Sequence, residues 1–108
     1  MSTKVFISGS IKIRSLPDAI KEQLELICEK NEQVLVGDAD GIDSLVQDFF
    51  SEREYPNLTI YSIFSIPRYN SGNFESQYVF ASNEIKSMRE RQKVKDNQMS
   101  IDCHSSLV

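Results

Sequence analysis

The feature that most constrains the fold is a strand, a glycine-bounded turn and a helix that follow one another within residues 34–50. Residues 34–36 are aliphatic, as is typical of a strand that helices cover on both faces. Gly37 and Gly41 bound the turn, where the backbone must bend sharply and approach a neighbour closely. The apolar residues that follow have the i, i+3, i+4, i+7, i+8 spacing of a helix with one buried face: Ile42, Leu45, Val46, Phe49 and Phe50. This order predicts an α/β fold.

A second unit of the same kind begins the chain. Residues 4–7 form a short apolar strand, and Ser8, Gly9 and Ser10 follow as a turn of small residues. The helix after this turn is predicted to begin at Ser15 as its N-cap. Pro17 and Asp18 would then lie in its first turn, and its buried face comprises Leu16, Ile20, Leu24 and Ile27.

A third strand is predicted at residues 58–64. Right-handed crossovers then place the strand at 4–8 beside the strand at 33–37, with the strand at 58–64 outside the latter, all parallel. The 108 residues therefore predict one domain, 1–108, with a Rossmann-like three-layer α/β/α architecture and a parallel sheet.

The remainder of the chain is predicted to be helical from about residue 75 to residue 102. Its basic residues alternate with acidic ones, which favours a solvated helix face over a nucleic-acid patch; they are Lys86, Arg89, Arg91, Lys93 and Lys95. A fourth strand is expected to begin at His104. The last strand or strands of the sheet, and the helix that would follow them, would then be truncated in this chain.

The two small-residue turns suggest an anion site. Both follow strands of a parallel sheet, so both lie at its carboxyl edge, where open α/β sheets bind ligands. The free N–H groups at a helix N-terminus suit an anion, most often a nucleotide phosphate. Either turn alone is explained equally well by tight packing, but the two together, with hydroxyls at Ser8 and Ser10, favour binding.

A long loop at residues 65–75 emerges at the same edge, and loops of this length are usually lids or mobile segments. Its side chains Arg68, Tyr69 and Asn70 could cover a base and a sugar, or could equally serve only to close the edge of the core.

Composition excludes several classes of function. The net charge of −4 and the isoelectric point of about 4.9 disfavour nucleic acid as the main partner. Cys28 and Cys103 are too few for a disulfide framework, and His104 beside Cys103 lacks the second pair that a zinc site requires. No metal or other cofactor is expected. The chain contains neither an apolar stretch of membrane-spanning length nor a signal peptide, so it is predicted to be cytoplasmic, without a membrane partner.

Three segments together resemble the SMF/DprA–LOG (SLOG) superfamily, most of all its small YspA-like, cpYpsA-related bacterial and phage proteins. These segments are residues 4–10, residues 36–43, and the group Lys95, Asp96, Met99 and Asp102. The resemblance implies a Rossmann-like domain that binds nucleotides or nucleotide derivatives. It implies that Ser8, Gly9 and Ser10 line a first phosphate loop. It further implies that a second loop is lined by Gly37, Asp38, Ala39, Gly41 and Asp43. Asp43 would lie in the first helical turn, where it either caps backbone N–H groups or holds the turn, and we favour this structural role over ligand binding.

The chain departs from this pattern in two respects. Asp40 stands where relatives that bind single-stranded DNA carry a basic residue, which disfavours DNA further. The family also continues into a glycine-rich loop that closes the site and is missing here, so little glycosidic turnover is expected. An incomplete sheet would leave apolar surface that a second copy of the chain could cover.

An enzyme is the alternative to a binding module. Cleavage or transfer at an N-glycosidic bond needs a carboxylate near the anomeric carbon, and the predicted candidates at the carboxyl edge are Asp38, Asp40 and Glu75. Nothing in the sequence singles out one of them, so no catalytic residue is assigned.

Overall fold

The computed structural model describes residues 3–81 and 87–105, with the backbone alone for residues 104 and 105. Its strands are β1 (Lys4–Ile7), β2 (Gln33–Val36), β3 (Leu58–Ser62) and β4 (Glu75–Tyr78). Its helices are α1 (Asp18–Lys30), α2 (Ile42–Glu52) and α3 (Met88–Ser105).

The four strands form one parallel sheet in the order β1-β2-β3-β4. Val5 lies opposite Val34, and Val36 lies opposite Ile60. The predicted order and direction of the first three strands are confirmed. All four strands therefore end at one edge of the sheet, called here the carboxyl edge.

Helices cover both faces of the sheet, because the side chains of each strand alternate between the faces. On one face, α1 and α2 pack on a core that includes Leu24, Ile27, Val34, Val36, Val46, Phe49, Phe50, Leu58 and Ile60. On the other face, Met99 of α3 packs with Leu35, Tyr61 and Val79. The predicted α/β class with a parallel sheet is thus confirmed, and the layers are helix, sheet and helix.

The prediction of a continuous helix from residue 75 is wrong. Residues Glu75–Tyr78 form the edge strand β4, and α3 begins only at Met88. All four residues of β4 are exposed, so backbone pairing with β3 holds a strand that has no apolar alternation. The predicted strand at His104 is also wrong, since α3 continues to Ser105; residues 106–108 lie outside the described residues.

Ser15 is not the N-cap of α1, contrary to the prediction. Pro17 occupies that position with φ −60° and ψ 150°, and its carbonyl accepts the N–H groups of Ile20 and Lys21 at 3.0 and 3.1 Å. Proline suits this position because its fixed φ is compatible with an extended residue before a helix. Residues 8–17 therefore form the whole connection between β1 and α1.

Cys28 and Cys103 are of intermediate burial and form no disulfide among the described residues. Burial raises the pKa of the Cys28 thiol, and the neighbouring Glu25 raises it further. No helix within residues 3–81 and 87–105 is long and apolar enough to cross a membrane. The same residues contain no cluster of three or more metal-ligating side chains.

Candidate functional site

The loops after β1 and β2 are in direct contact. The carbonyl of Ser10 accepts the backbone N–H of Ile42 at 3.0 Å. A Cβ built on Gly9 would lie 2.8 Å from Cγ1 of Ile42. A Cβ on Gly41 would collide with the Ser10 carbonyl oxygen and lie 2.6 Å from Cα of Ile11. The structure thus brings together the two predicted phosphate loops, and glycines lie at their points of contact.

The second loop is also held closed at the N-terminus of α2. Gly41 is the N-cap, with φ 80° and ψ −129°, a conformation essentially restricted to glycine. In the first turn, Oδ2 of Asp43 accepts the Ala39 N–H at 3.2 Å. The Ser44 hydroxyl donates to the Ala39 carbonyl at 2.8 Å. Asp43 therefore holds this turn, and its charge lies at the favourable end of the helix dipole.

Asp38 ties the second loop to the chain after β3. Its side chain is fully buried, and Oδ2 accepts hydrogen bonds from the Ser62 hydroxyl and the Arg68 N–H, both at 2.7 Å. Oδ1 accepts a 2.9 Å hydrogen bond from the Arg68 guanidinium. Burial alone would raise the pKa of Asp38, but the hydrogen bonds from Arg68 and Ser62 outweigh it and hold that pKa below its ordinary value. The carboxylate is thus surrounded by donors of the protein itself.

Gln47 anchors the long loop to the body of the domain. Its side chain is fully buried, and Nε2 donates to the carbonyls of Gly37 at 2.9 Å and Tyr69 at 3.2 Å. Its Oε1 accepts the N–H of Ser71 at 3.3 Å, and the Tyr69 hydroxyl donates to Asp48. Hydrogen bonds therefore attach the loop to α2 and to the end of β2 in this structure.

The three side chains predicted to cover a ligand differ in their surroundings. Asn70 closes a tight turn, accepting the Phe74 N–H at 2.8 Å and donating to its carbonyl at 3.0 Å. The guanidinium of Arg68 pairs with Asp38 and lies 5.1 Å from the centre of the Phe64 ring. Tyr69 lines a cavity at this edge.

That cavity has a volume of about 310 Å³ and is open to solvent. Its lining combines a cation, a carboxylate, a hydroxyl, a ring and aliphatic side chains: Ile13, Arg14, Asp40, Gly41, Ser44, Leu45 and Tyr69. A larger hollow of about 560 Å³ lies at the opposite edge, where β2, β3 and β4 begin. The smaller cavity adjoins the N-terminus of α2, the kind of group that binds anions, whereas no helix N-terminus lines the larger one.

Lys95 belongs to the basic stretch that was predicted to form a solvated helix face, and for this residue the prediction is wrong. Lys95 is only 4% exposed. A Cβ on Gly37 would collide with Nζ of Lys95 and with Oδ2 of Asp43, so both side chains lie against Gly37 at the end of β2. The sequence signal was the spacing i, i+4, i+8 of Lys95, Met99 and Cys103, which places Lys95 on the sheet-facing side of α3.

Glu75 does not belong to this site. It is the first residue of β4, and in a parallel sheet the first residue of a strand lies at the amino edge. The prediction that Glu75 reaches the ligand-binding edge is therefore wrong. Of the predicted carboxylates, Asp38 is buried and Asp40 is exposed beside the cavity.

Replacing Asp43 with asparagine is expected to increase the free energy of unfolding at pH 7. Burial raises the pKa of Asp43, and the nearby Lys95 offsets this only in part. Between the ordinary pKa of about 3.9 and the raised value, the folded state binds more protons than the unfolded state, so wild-type stability falls as pH rises. Asparagine keeps an acceptor for the Ala39 N–H and carries no charge.

Urea denaturation of both proteins between pH 3 and pH 8 measures this difference. The gap should be largest above the raised pKa and should close as the pH falls below about 3.9. A lower stability of Asp43→Asn at pH 7 would show instead that attraction to Lys95 outweighs burial.

Comparison with protein-family models, with curated proteins and with solved structures finds nothing that matches this chain.

Proposed function

We propose that this protein binds a nucleotide or a nucleotide-derived small molecule at the carboxyl edge of its sheet. The ligand's anionic end would lie between Ser8–Ser10 and the turn at 37–43. The observation that carries this proposal is the contact between two small-residue loops, beside the N-terminus of α2, at the ends of adjacent parallel strands. Ligands of open α/β sheets bind at this edge, and helix N-termini bind anions there.

The cavity beside the turn suits the uncharged part of such a ligand. Its volume of about 310 Å³ is at the lower end of the range for small-molecule sites. The Tyr69 ring and the Ile13 and Leu45 side chains offer apolar surface for a base, and Ser44 and Asp40 offer polar groups for a sugar. We propose a SLOG-like domain as the class of this protein and the cytoplasm as its location.

Binding is favoured over cleavage of an N-glycosidic bond. Such cleavage needs a carboxylate that is free to face the anomeric carbon. Asp38 accepts three hydrogen bonds from protein groups, and Glu75 lies at the other edge. The exposed Asp40 and the net charge of −4 also favour a small ligand over single-stranded DNA.

Replacing Ser8 with aspartate is expected to weaken binding of a nucleoside monophosphate at least about tenfold, because like charges about 4 Å apart near a protein surface repel by several kcal/mol. Ser8 is exposed, so the fold should tolerate the change. Isothermal titration of the wild type with a panel of nucleoside monophosphates, beginning with AMP, measures the affinity.

Thr3→Asp provides the matched control. It adds the same charge at an exposed position at the other end of β1, far along the strand from the proposed site. It should leave the affinity unchanged. Equal weakening by both variants would indicate a general charge effect, and a wild type that binds none of the panel would contradict the proposed function.

A further inference from the structure

We infer that Lys95 supplies the cationic contact for an anionic group of the ligand, so that the site selects phosphorylated nucleotides over neutral nucleosides. This inference rests on the proposed function. It adds that a residue of α3, on the face of the sheet opposite α1 and α2, recognises the anionic part of the ligand.

The first observation is a buried ammonium with too few partners. Lysine is almost never buried unless its charge is paired, and its ammonium carries three donors. The Lys95 side chain is 5% exposed. Among the described residues its one ion pair is a 3.5 Å contact with Oδ1 of Asp96, whose own side chain is 47% exposed. The amine therefore has donors to offer.

The second observation is that the amine is not wholly enclosed. Every fully enclosed side-chain nitrogen or oxygen in the described part of the chain has a hydrogen-bond partner. The Lys95 amine makes no hydrogen bond there, so it is not among the fully enclosed atoms and keeps some contact with solvent, although the side chain as a whole is only 5% exposed. Lysine commonly buries its stem in this way and keeps its amine at the surface.

The third observation is the position of the amine. It lies against Gly37, the residue that follows the last residue of β2, where the absent side chain leaves room for it. This is the carboxyl edge at which the loops after β1 and β2 meet. An anion placed there would receive a charge-assisted hydrogen bond from Lys95, which is stronger than a neutral one.

Three carboxylates of this region could neutralise the amine: Asp38 follows Gly37 in the chain, Asp43 lies against Gly37, and Asp96 pairs with the amine. Asp38 is paired with Arg68 at 2.9 Å. Asp43 uses Oδ2 to accept the Ala39 N–H. Asp96 is half-exposed, so solvent screens its attraction for the amine. None of these groups saturates the ammonium, which is why an external anion can compete for it.

The test compares AMP with adenosine on the wild type, Lys95→Met and Lys93→Met. Lys93 is an exposed lysine of the same helix, so its replacement makes the same change in charge without touching the site. Lys95→Met should weaken AMP binding about 10- to 100-fold, the loss expected for one hydrogen bond to a charged group, and leave adenosine binding unchanged. Lys93→Met should alter neither, and Lys95→Arg should recover part of the AMP affinity.

The outcomes separate the two proposals. A wild type that binds neither compound overturns the proposed function and with it the assignment of Lys95. A wild type that binds AMP, together with a Lys95→Met variant that binds both compounds as the wild type does or loses both equally, overturns the assignment of Lys95 alone.

A labelling experiment on the wild type decides the matter if Lys95→Met does not fold. The protein is treated with acetic anhydride with and without inorganic phosphate, and the acetylation of each lysine is measured by peptide mass spectrometry. Phosphate should slow acetylation of Lys95 at least about threefold and leave Lys93 unaffected. Equal acetylation of Lys95 with and without phosphate overturns the inference.

Discussion

Replacing Asp38 with alanine is expected to lower the free energy of unfolding by about 3 kcal/mol at pH 7. The change removes the acceptor for three hydrogen bonds, each worth about 1 kcal/mol or more when a charge takes part. It also leaves the buried Ser62 hydroxyl and the Arg68 N–H without their acceptor. Urea denaturation followed by circular dichroism measures the loss.

Asp40→Ala is the matched control, because Asp40 is an exposed aspartate two positions along the same turn. Its replacement should change stability by less than about 0.5 kcal/mol. The pH dependence gives a second check. The pKa of Asp38 is lowered in the folded state, so its stabilisation is present above the ordinary pKa of about 3.9 and is lost as pH falls through the lowered value. A loss from Asp38→Ala that stayed constant down to pH 2 would contradict this account.

Gly41→Ala should destabilise the protein by about 2–4 kcal/mol, because the new side chain meets two obstacles at once. The backbone has φ 80° and ψ −129°, which side chains of L-residues rarely adopt. The added Cβ also collides with the carbonyl of Ser10 and with the backbone of Ile11. Backbone atoms of a neighbouring loop cannot rotate away as a side chain can. Thermal and urea denaturation both report this loss.

Gly9→Ala tests steric contact without backbone strain, because Gly9 also lies where the two loops are in contact. Its Cβ would meet Cγ1 of Ile42 at 2.8 Å, which is a side-chain atom and not a backbone atom, and φ there is not positive. A cost well below that of Gly41→Ala is therefore expected. Equal costs at the two positions would mean that the left-handed conformation of Gly41 contributes little.

The parts of the fold with strong apolar periodicity could be predicted from the sequence. The strand at Val34–Val36 and the helix stripe of Val46, Phe49 and Phe50 are buried as expected. The strand β4 could not be predicted, because all four residues of Glu75–Tyr78 are exposed and the segment has no alternation of apolar and polar residues. Its pairing with β3 is a tertiary effect that local sequence does not encode.

The two backbone turns of the candidate site could be predicted, but the polar side chains that connect them could not. Small residues after β1 and β2 revealed both loops, because glycine at a tight turn is a local requirement. Gln47 and Lys95 connect the elements around the loops, and each is a polar residue at a buried position of a helix. A polar residue on a helix is usually interpreted as exposed, so only the structure reveals the partners of these two side chains.

Protein synthesis would expose one face of the sheet for longer than the other. Strands that are neighbours in the sheet are also consecutive along the chain, and α1 and α2 lie between them, so the face that these helices cover can assemble as translation proceeds. Leu35 and Tyr61 on the opposite face pack against α3, which is translated after β4. Until α3 has left the ribosome, this apolar surface is open to chaperones and to neighbouring nascent chains.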